Sequence, residues 1–319
     1  MLNVDFENKI SVRSELGKAI CEAGRKNQDV VVLDADLSCS TQTKMFAKEF
    51  PERFFNVGIA EQDMIATAAG LANEGKIPFA ASFAVFATGR TYDQIRNSVC
   101  YPKLNVKIIG THGGITVGED GASHEALEDI GLMRGLPNMT VIVPSDCTEC
   151  RHAVEFAVKH NGPVYIRVSR GNLPNIFDEN TKFDFPKANV IKEGSDVSVF
   201  TNGETLSEVI RASEILQKEG IDIEIINVPV VKPLDKETVL KCAGKTKLVV
   251  TVENHSVING LGSAICEVLS ENLPVNVLRI GINDVFGQTG KASELMNFYG
   301  LTGEKIAEKI QKFKRKEND

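Results

Sequence analysis

Short apolar, β-branched runs bounded by Gly, Pro, Asp or Asn alternate with amphipathic stretches along almost the whole chain, and this alternation most restricts its fold. Val30–Leu33, Ile77–Ala81, Val106–Ile109, Val141–Val143 and Val164–Val168 have the length and composition of strands buried on both faces. Between them, Glu61–Asn73 sets Met64, Ile65, Ala68, Leu71 and Ala72 on one helical face. Thr91–Val99, Glu125–Arg134 and Cys147–Lys159 also read as helices. Strand, helix, strand in succession implies a mostly parallel sheet covered on both faces.

The alternation stops at Gly171–Ser195, where Pro174, Pro186 and several Asn and Asp residues break every period, so this stretch reads as a connector. A second, smaller series follows. Its expected strands are Val197–Thr201, Ile223–Val228, Leu248–Val252 and Val275–Ile280, and its helices Thr205–Lys218, Ser263–Glu271 and Gly303–Phe313. The expectation is two consecutive α/β domains, residues 1–175 and 196–319, joined by a linker over 176–195.

At 319 residues and 42% hydrophobic content the chain is long enough for two cores. A net charge of −7 argues against a general nucleic-acid binder, which needs a basic face. The basic group Lys312, Lys314, Arg315 and Lys316 reads as a solvated helix end. No apolar run approaches the ~20 residues of a membrane span, and no signal peptide is expected from the N-terminal sequence. Seven scattered cysteines suggest reduced thiols and a cytoplasmic protein.

Several signatures fail. Gly260-Leu-Gly262 lacks the third glycine of a dinucleotide fingerprint, Gly287–Lys291 is too short for a P-loop, and His124-Glu125 lacks the second histidine of a zinc-protease helix. Cys147-Thr-Glu-Cys150 has redox or metal spacing but no second pair, and its amphipathic setting suits a structural role.

Three polar segments remain, each following an expected strand, where open α/β sheets place ligands. Asn56–Met64 puts Glu61 at a helix start, where the helix dipole alone would favour a carboxylate. Thr111–His124 combines Gly-rich turns with His112, Asp120 and His124, a composition poor for a core and good for bringing backbone and side chains to a ligand. Arg167–Asn172 offers Arg170, either a surface charge or a forked donor to phosphate.

Together these segments resemble transketolase. The likeness rests on Gly58-Ile-Ala-Glu61-Gln62, on Thr111-His112 with Val117-Gly-Glu-Asp120-Gly121 and His124, and on Ser169-Arg170 with Asn172-Leu-Pro174. Ser82-Phe83-Ala-Val-Phe86 is similar to the family's aromatic pair beside the cofactor ring, and Asp34–Ser40, with Asp36, to another of its ligand loops. The order matches the family's pyrimidine-binding and C-terminal domains over essentially the whole chain. The Gly-Asp-Gly motif with which the family holds diphosphate and metal has no counterpart, so the resemblance implies the C-terminal subunit of a split transketolase. Such a subunit would work with a separate N-terminal chain, as an α2β2 assembly, on thiamine diphosphate with Mg2+ or Ca2+ held by that partner, and would itself hold no metal.

By the same resemblance, Glu61 faces N1′ of the aminopyrimidine, in a dry setting. Phe83 and Phe86 flank the ring, with Asp36 also on the cofactor. His112, Arg170, Arg13 and Ser40 surround a sugar phosphate, while Asp120 and the catalytic His124 meet hydroxyls near the reacting carbons. Gln62 departs from the His common in transketolases and matches the related deoxyxylulose-phosphate synthase. That enzyme, the beta subunit of a 2-oxo-acid dehydrogenase and a non-catalytic regulatory paralogue stay open as alternatives.

Overall fold

The computed structural model describes residues 4–246 and 248–318. Its strands in chain order are β1 (Lys9–Ser11), β2 (Val30–Asp34), β3 (Phe54–Asn56), β4 (Ile77–Phe83), β5 (Lys107–Thr111), β6 (Thr140–Ile142) and β7 (Val164–Arg167), then β8 (Asn172–Pro174), β9 (Asn189–Lys192), β10 (Val197–Thr201), β11 (Ile223–Asn227), β12 (Val230–Lys232), β13 (Leu248–Ser256) and β14 (Asn276–Ile282). Seven of them form the first sheet, in the order β12-β6-β7-β5-β4-β2-β3, and β14-β13-β10-β11-β9 form the second. Both sheets are parallel except at one edge, β12 in the first and β9 in the second, where pairing is antiparallel. β1 and β8 make a separate two-stranded ribbon.

Every residue of β2 and β5 is buried, as runs without polar alternation require when helices cover both faces. The helix Glu61–Asn73 covers one face through Met64, Ile65, Ala68, Ala69 and Ala72. Each fully buried large side chain here contributes about 1.5–3 kcal/mol relative to exposure. On the other face lie the helices Val12–Lys26 and Cys147–Lys159. Both are capped: Ser11 Oγ accepts from Ser14 N–H at 3.2 Å, and Asp146 Oδ1 from Glu149 N–H at 2.8 Å. The other Asp146 oxygen takes the amides of Ile176 and Phe177, each at 2.8 Å, so one carboxylate both caps a helix and pins the start of the connector.

Five elements differ from the periodicity. Thr91–Val99 splits into a short helix, Tyr92–Gln94, and a π-helical turn, Ile95–Cys100. The helix expected from Glu125 begins only at Asp129, because residues 121–128 form an irregular loop that turns their polar groups elsewhere. The stretch read as a connector contains β9, which closes the second sheet. Val230–Lys232, two residues after β11, leaves the second domain to pair with β6 of the first, Val230 opposite Ile142. Lys236–Thr246, whose period is weak, is helical. The basic C-terminal group lies in the helix Gly303–Asn318, with Lys314 Nζ 2.7 Å from Asp196. Cys147 and Cys150 are buried and free, and burial pushes the Cys147 thiol up to about 12, which leaves both thiols inert.

Candidate active site

In the first sheet, β7, β5, β4, β2 and β3 are consecutive neighbours, so the loops leaving their carboxyl ends share one rim. The direction of chain progression reverses between β2 and β4, where such a sheet leaves a crevice. The loop after β3 brings Glu61 to this rim, β4 ends there in Phe83 with Phe86 on the helix Ala84–Gly89 that follows directly, and the loop after β5 brings His112, Asp120 and His124. The turn after β2 brings Asp36 and Ser40, and the segment after β7 brings Arg170. Arg13 enters from the first turn of Val12–Lys26.

Glu61 is 5% exposed at the first position of its helix, where unpaired amides favour a carboxylate. Arg90 Nη1 donates to Glu61 Oε1 at 3.0 Å, and the same guanidinium lies 3.9 Å over the Phe86 ring. A dry setting is therefore present, but with a cation in it. Sequence reading missed Arg90, although its place one helical turn beyond Phe86 is a usable signal.

Phe83 and Phe86 are stacked, with centroids 5.8 Å apart. His112 covers Phe83 at 3.8 Å, and His124 meets Phe86 edge-on at 5.3 Å. His112 is 3% exposed, in a left-handed backbone conformation (φ 58°) rare for a non-glycine residue, and its Nδ1 is 2.9 Å from Thr111 Oγ1. Burial, reinforced by Arg13, Arg170 and His124, drives its pKa down to about 3, so the ring is neutral near pH 7.

Arg13 donates to Ser40 O at 2.8 Å and to Arg170 O at 3.2 Å, joining three of the expected phosphate residues. Arg170 donates to Val117 O and lies 3.4 Å from Glu119 and 3.7 Å from Asp120, so its fork is engaged on the loop that carries Asp120. Asp36, in the left-handed region, exchanges hydrogen bonds with Asn56, whose Oδ1 also accepts from Gly58 N–H at 3.0 Å. Asn56, another residue missed from sequence, thus ties the β2 and β3 loops together. Of the expected residues, Glu61, Phe86 and His124 share one patch, and Arg13, Ser40, Arg170 and Asp120 another, with Phe83 and His112 between them.

At the Gly260-Leu-Gly262 turn the helix Leu261–Asn272 begins, but Glu253 accepts its Leu261 and Gly262 amides at 2.7 and 2.9 Å. A carboxylate of the chain thus fills the position a phosphate would take. Among the described residues, no group of three His, Cys, Asp or Glu is placed to hold a metal ion.

A doubly wound sheet with aromatic, carboxylate and basic groups on its rim, backed by a second α/β domain, defines a class of two-domain α/β ligand-site proteins. Comparisons narrow it. Residues 8–175 match the transketolase pyrimidine-binding domain and residues 186–306 the transketolase C-terminal domain. The chain is 51% identical over 309 residues, covering 96% of itself and 97% of the relative, to a protein described as a transketolase C-terminal section in Methanocaldococcus jannaschii. It is 42% identical to a 6-deoxy-6-sulfo-D-fructose transketolase subunit of Clostridium sp. strain MSTE9, with 99% of each chain covered. A solved structure described as a split-gene transketolase, inactive beta4 tetramer, superposes with a TM-score of 0.89 at 49% identity, covering 95% of this chain and 98% of that one. The chain belongs to the transketolase family, in the group of C-terminal subunits of split transketolases.

Proposed function

We propose that this chain is the C-terminal subunit of a thiamine-diphosphate-dependent transketolase. With a separate N-terminal subunit, in an α2β2 cytoplasmic assembly, it moves a two-carbon ketol unit from a ketose phosphate to an aldose phosphate. The supporting observation is the convergence of Glu61, Phe86 and His124 on one rim with the Arg13–Ser40–Arg170 group beside them.

The site's residues suit the cofactor's aminopyrimidine. Glu61 and Phe86 already hold a flat, hydrogen-bond-donating group, the Arg90 guanidinium, between a carboxylate and an aromatic face. When bound, thiamine diphosphate supplies a carbon nucleophile that cleaves the ketose next to its carbonyl and carries the two-carbon fragment. Glu61 would share a proton with ring N1′, and Phe86 would orient the ring. His112, neutral, would offer a hydrogen bond without charge, while His124 and Asp120 would bind hydroxyls and Arg13, Ser40 and Arg170 the phosphate. Asp36 would border the cofactor. Mg2+ or Ca2+ and the diphosphate fall to the partner.

The test is turnover by this chain mixed with its partner on xylulose 5-phosphate plus ribose 5-phosphate, against pyruvate plus glyceraldehyde 3-phosphate. Activity only on the pyruvate pair would replace this reading with the synthase one.

A further inference from the structure

The loop leaving β5 carries His112, Asp120 and His124, yet much of what holds it belongs to the other domain. Asn254, on β13 and 3% exposed, accepts the Ile115 amide on its Oδ1 at 3.1 Å. Its Nδ2 donates to Glu204, and Glu204 Oε1 accepts from Thr116 Oγ1 at 2.9 Å. Glu204 is 8% exposed, at the end of the turn that follows β10. The Asn254 carbonyl accepts from Arg167 Nη2 at 2.8 Å, and that guanidinium also reaches Ala126 O at 3.2 Å and Asp129 at 2.8 Å. Two adjacent loop residues, Ile115 and Thr116, are therefore gripped by a second-domain pair, while Arg167 ties the same pair to the far end of the loop.

The fit leaves no slack. A Cβ on Gly114, which has φ 82°, would lie 2.3 Å from Asn254 Nδ2, and one on Gly113 would lie 2.5 Å from Arg167 Nε. The loop approaches the second domain at a distance only glycine permits. Unpaired, each of these buried groups would be costly, so the network favours one loop position.

We propose that Asn254 and Glu204 are positioning residues, through which the second domain sets the place of Ile115–Thr116 and hence of His112 and Asp120 toward the sugar phosphate. Neither touches substrate. The inference rests on the proposed transketolase reading for its consequence in turnover, but the loop restraint itself stands apart from it. Thr116→Val removes one donor, and Asn254→Ala removes the acceptor of the Ile115 amide together with a donor to Glu204. Glu204→Gln keeps an acceptor for both partners.

The experiment uses the assembled two-chain protein. Amide hydrogen exchange is followed over residues 111–127, with β10 and β11 as the internal control. Asn254→Ala is expected to speed exchange about tenfold at residues 113–116 and leave the control unchanged. In the same protein KM for the ketose phosphate should rise about tenfold, with cofactor affinity and kcat within about twofold of wild type. Glu204→Gln should stay within about twofold of wild type in each measure, and Thr116→Ser should restore what Thr116→Val loses. If Asn254→Ala does not fold, Thr116→Val decides alone, by the same split at about threefold.

Faster exchange with an unchanged KM, or exchange that rises equally in the control strands, would make the pair merely structural and end the proposal. A wild-type assembly that transfers no ketol unit would end the transketolase reading instead. The proposal then stands or falls on the local exchange at residues 113–116.

Discussion

Glu61 and Arg90 form an ion pair at 3.0 Å between a buried and a half-exposed partner, through Glu61 Oε1, so a ring seated on that carboxylate and on Phe86 would compete with the guanidinium. Arg90→Ala is therefore expected to tighten thiamine diphosphate binding to the assembled protein several-fold, by calorimetry; weaker binding would show that Arg90 belongs to the bound site. Glu61→Gln should keep the fold and slow exchange of the cofactor's C2 proton by about 10²–10⁴-fold, the usual size of acid–base assistance. Exchange at the wild-type rate would take the proton-sharing role from Glu61. At Arg170 the structure moderates the sequence-based expectation. Part of its donor capacity is already spent on Val117 O and the Glu119 and Asp120 carboxylates, so Arg170→Ala should raise KM for phosphorylated donors by about tenfold and leave hydroxypyruvate nearly unaffected. Equal losses on both donors would make Arg170 a structural residue.

Among the elements, the loop after β5 also carries Glu125, 3% exposed, with neither carboxylate oxygen in a hydrogen bond of ordinary geometry. Burial raises its pKa to about 7, against 4.5 for an ordinary glutamate, with the Gln288 amide as a weak counterweight. Between those values the folded chain keeps a proton that the unfolded chain has lost. Stability from this group is therefore present at low pH, falls as pH rises through that window and levels off above it. Glu125→Gln should flatten that slope, read as the difference between mutant and wild type in denaturant unfolding from about pH 4.5 to 8; parallel curves would refute it. Glu125 illustrates what sequence can and cannot carry. The central strands and the helices Glu61–Asn73 and Cys147–Lys159 were legible, because burial on a fixed face imposes a period. Glu61 at a helix start and the polar β5 loop were legible too, since both break the apolar pattern in a known place. Asn254 and Glu204 were not, because their partners lie 139 and 88 residues away and nothing local in β13 marks a side chain that serves another domain.

Over the whole molecule, the chain alone is expected to bind thiamine diphosphate weakly, since the diphosphate and metal are assigned to the partner. Micromolar binding by the isolated subunit in calorimetry would contradict the split-enzyme reading. The excursion of β12 bears on a different matter, how the gene can be cut. Val230–Lys232 seals the β6 edge, with Val143 N–H on Pro229 O at 2.7 Å and Lys232 Nζ on Arg134 O at 2.9 Å. A fragment ending anywhere in the connector would therefore carry an open apolar strand edge, and edges of that kind recruit other strands. Such a fragment should aggregate or exchange strands, as gel filtration would reveal, while supplying a peptide spanning residues 228–234 in trans should restore a monomer. Two domains that look separable in sequence would thus be inherited as one unit, because the later one finishes the earlier one's sheet.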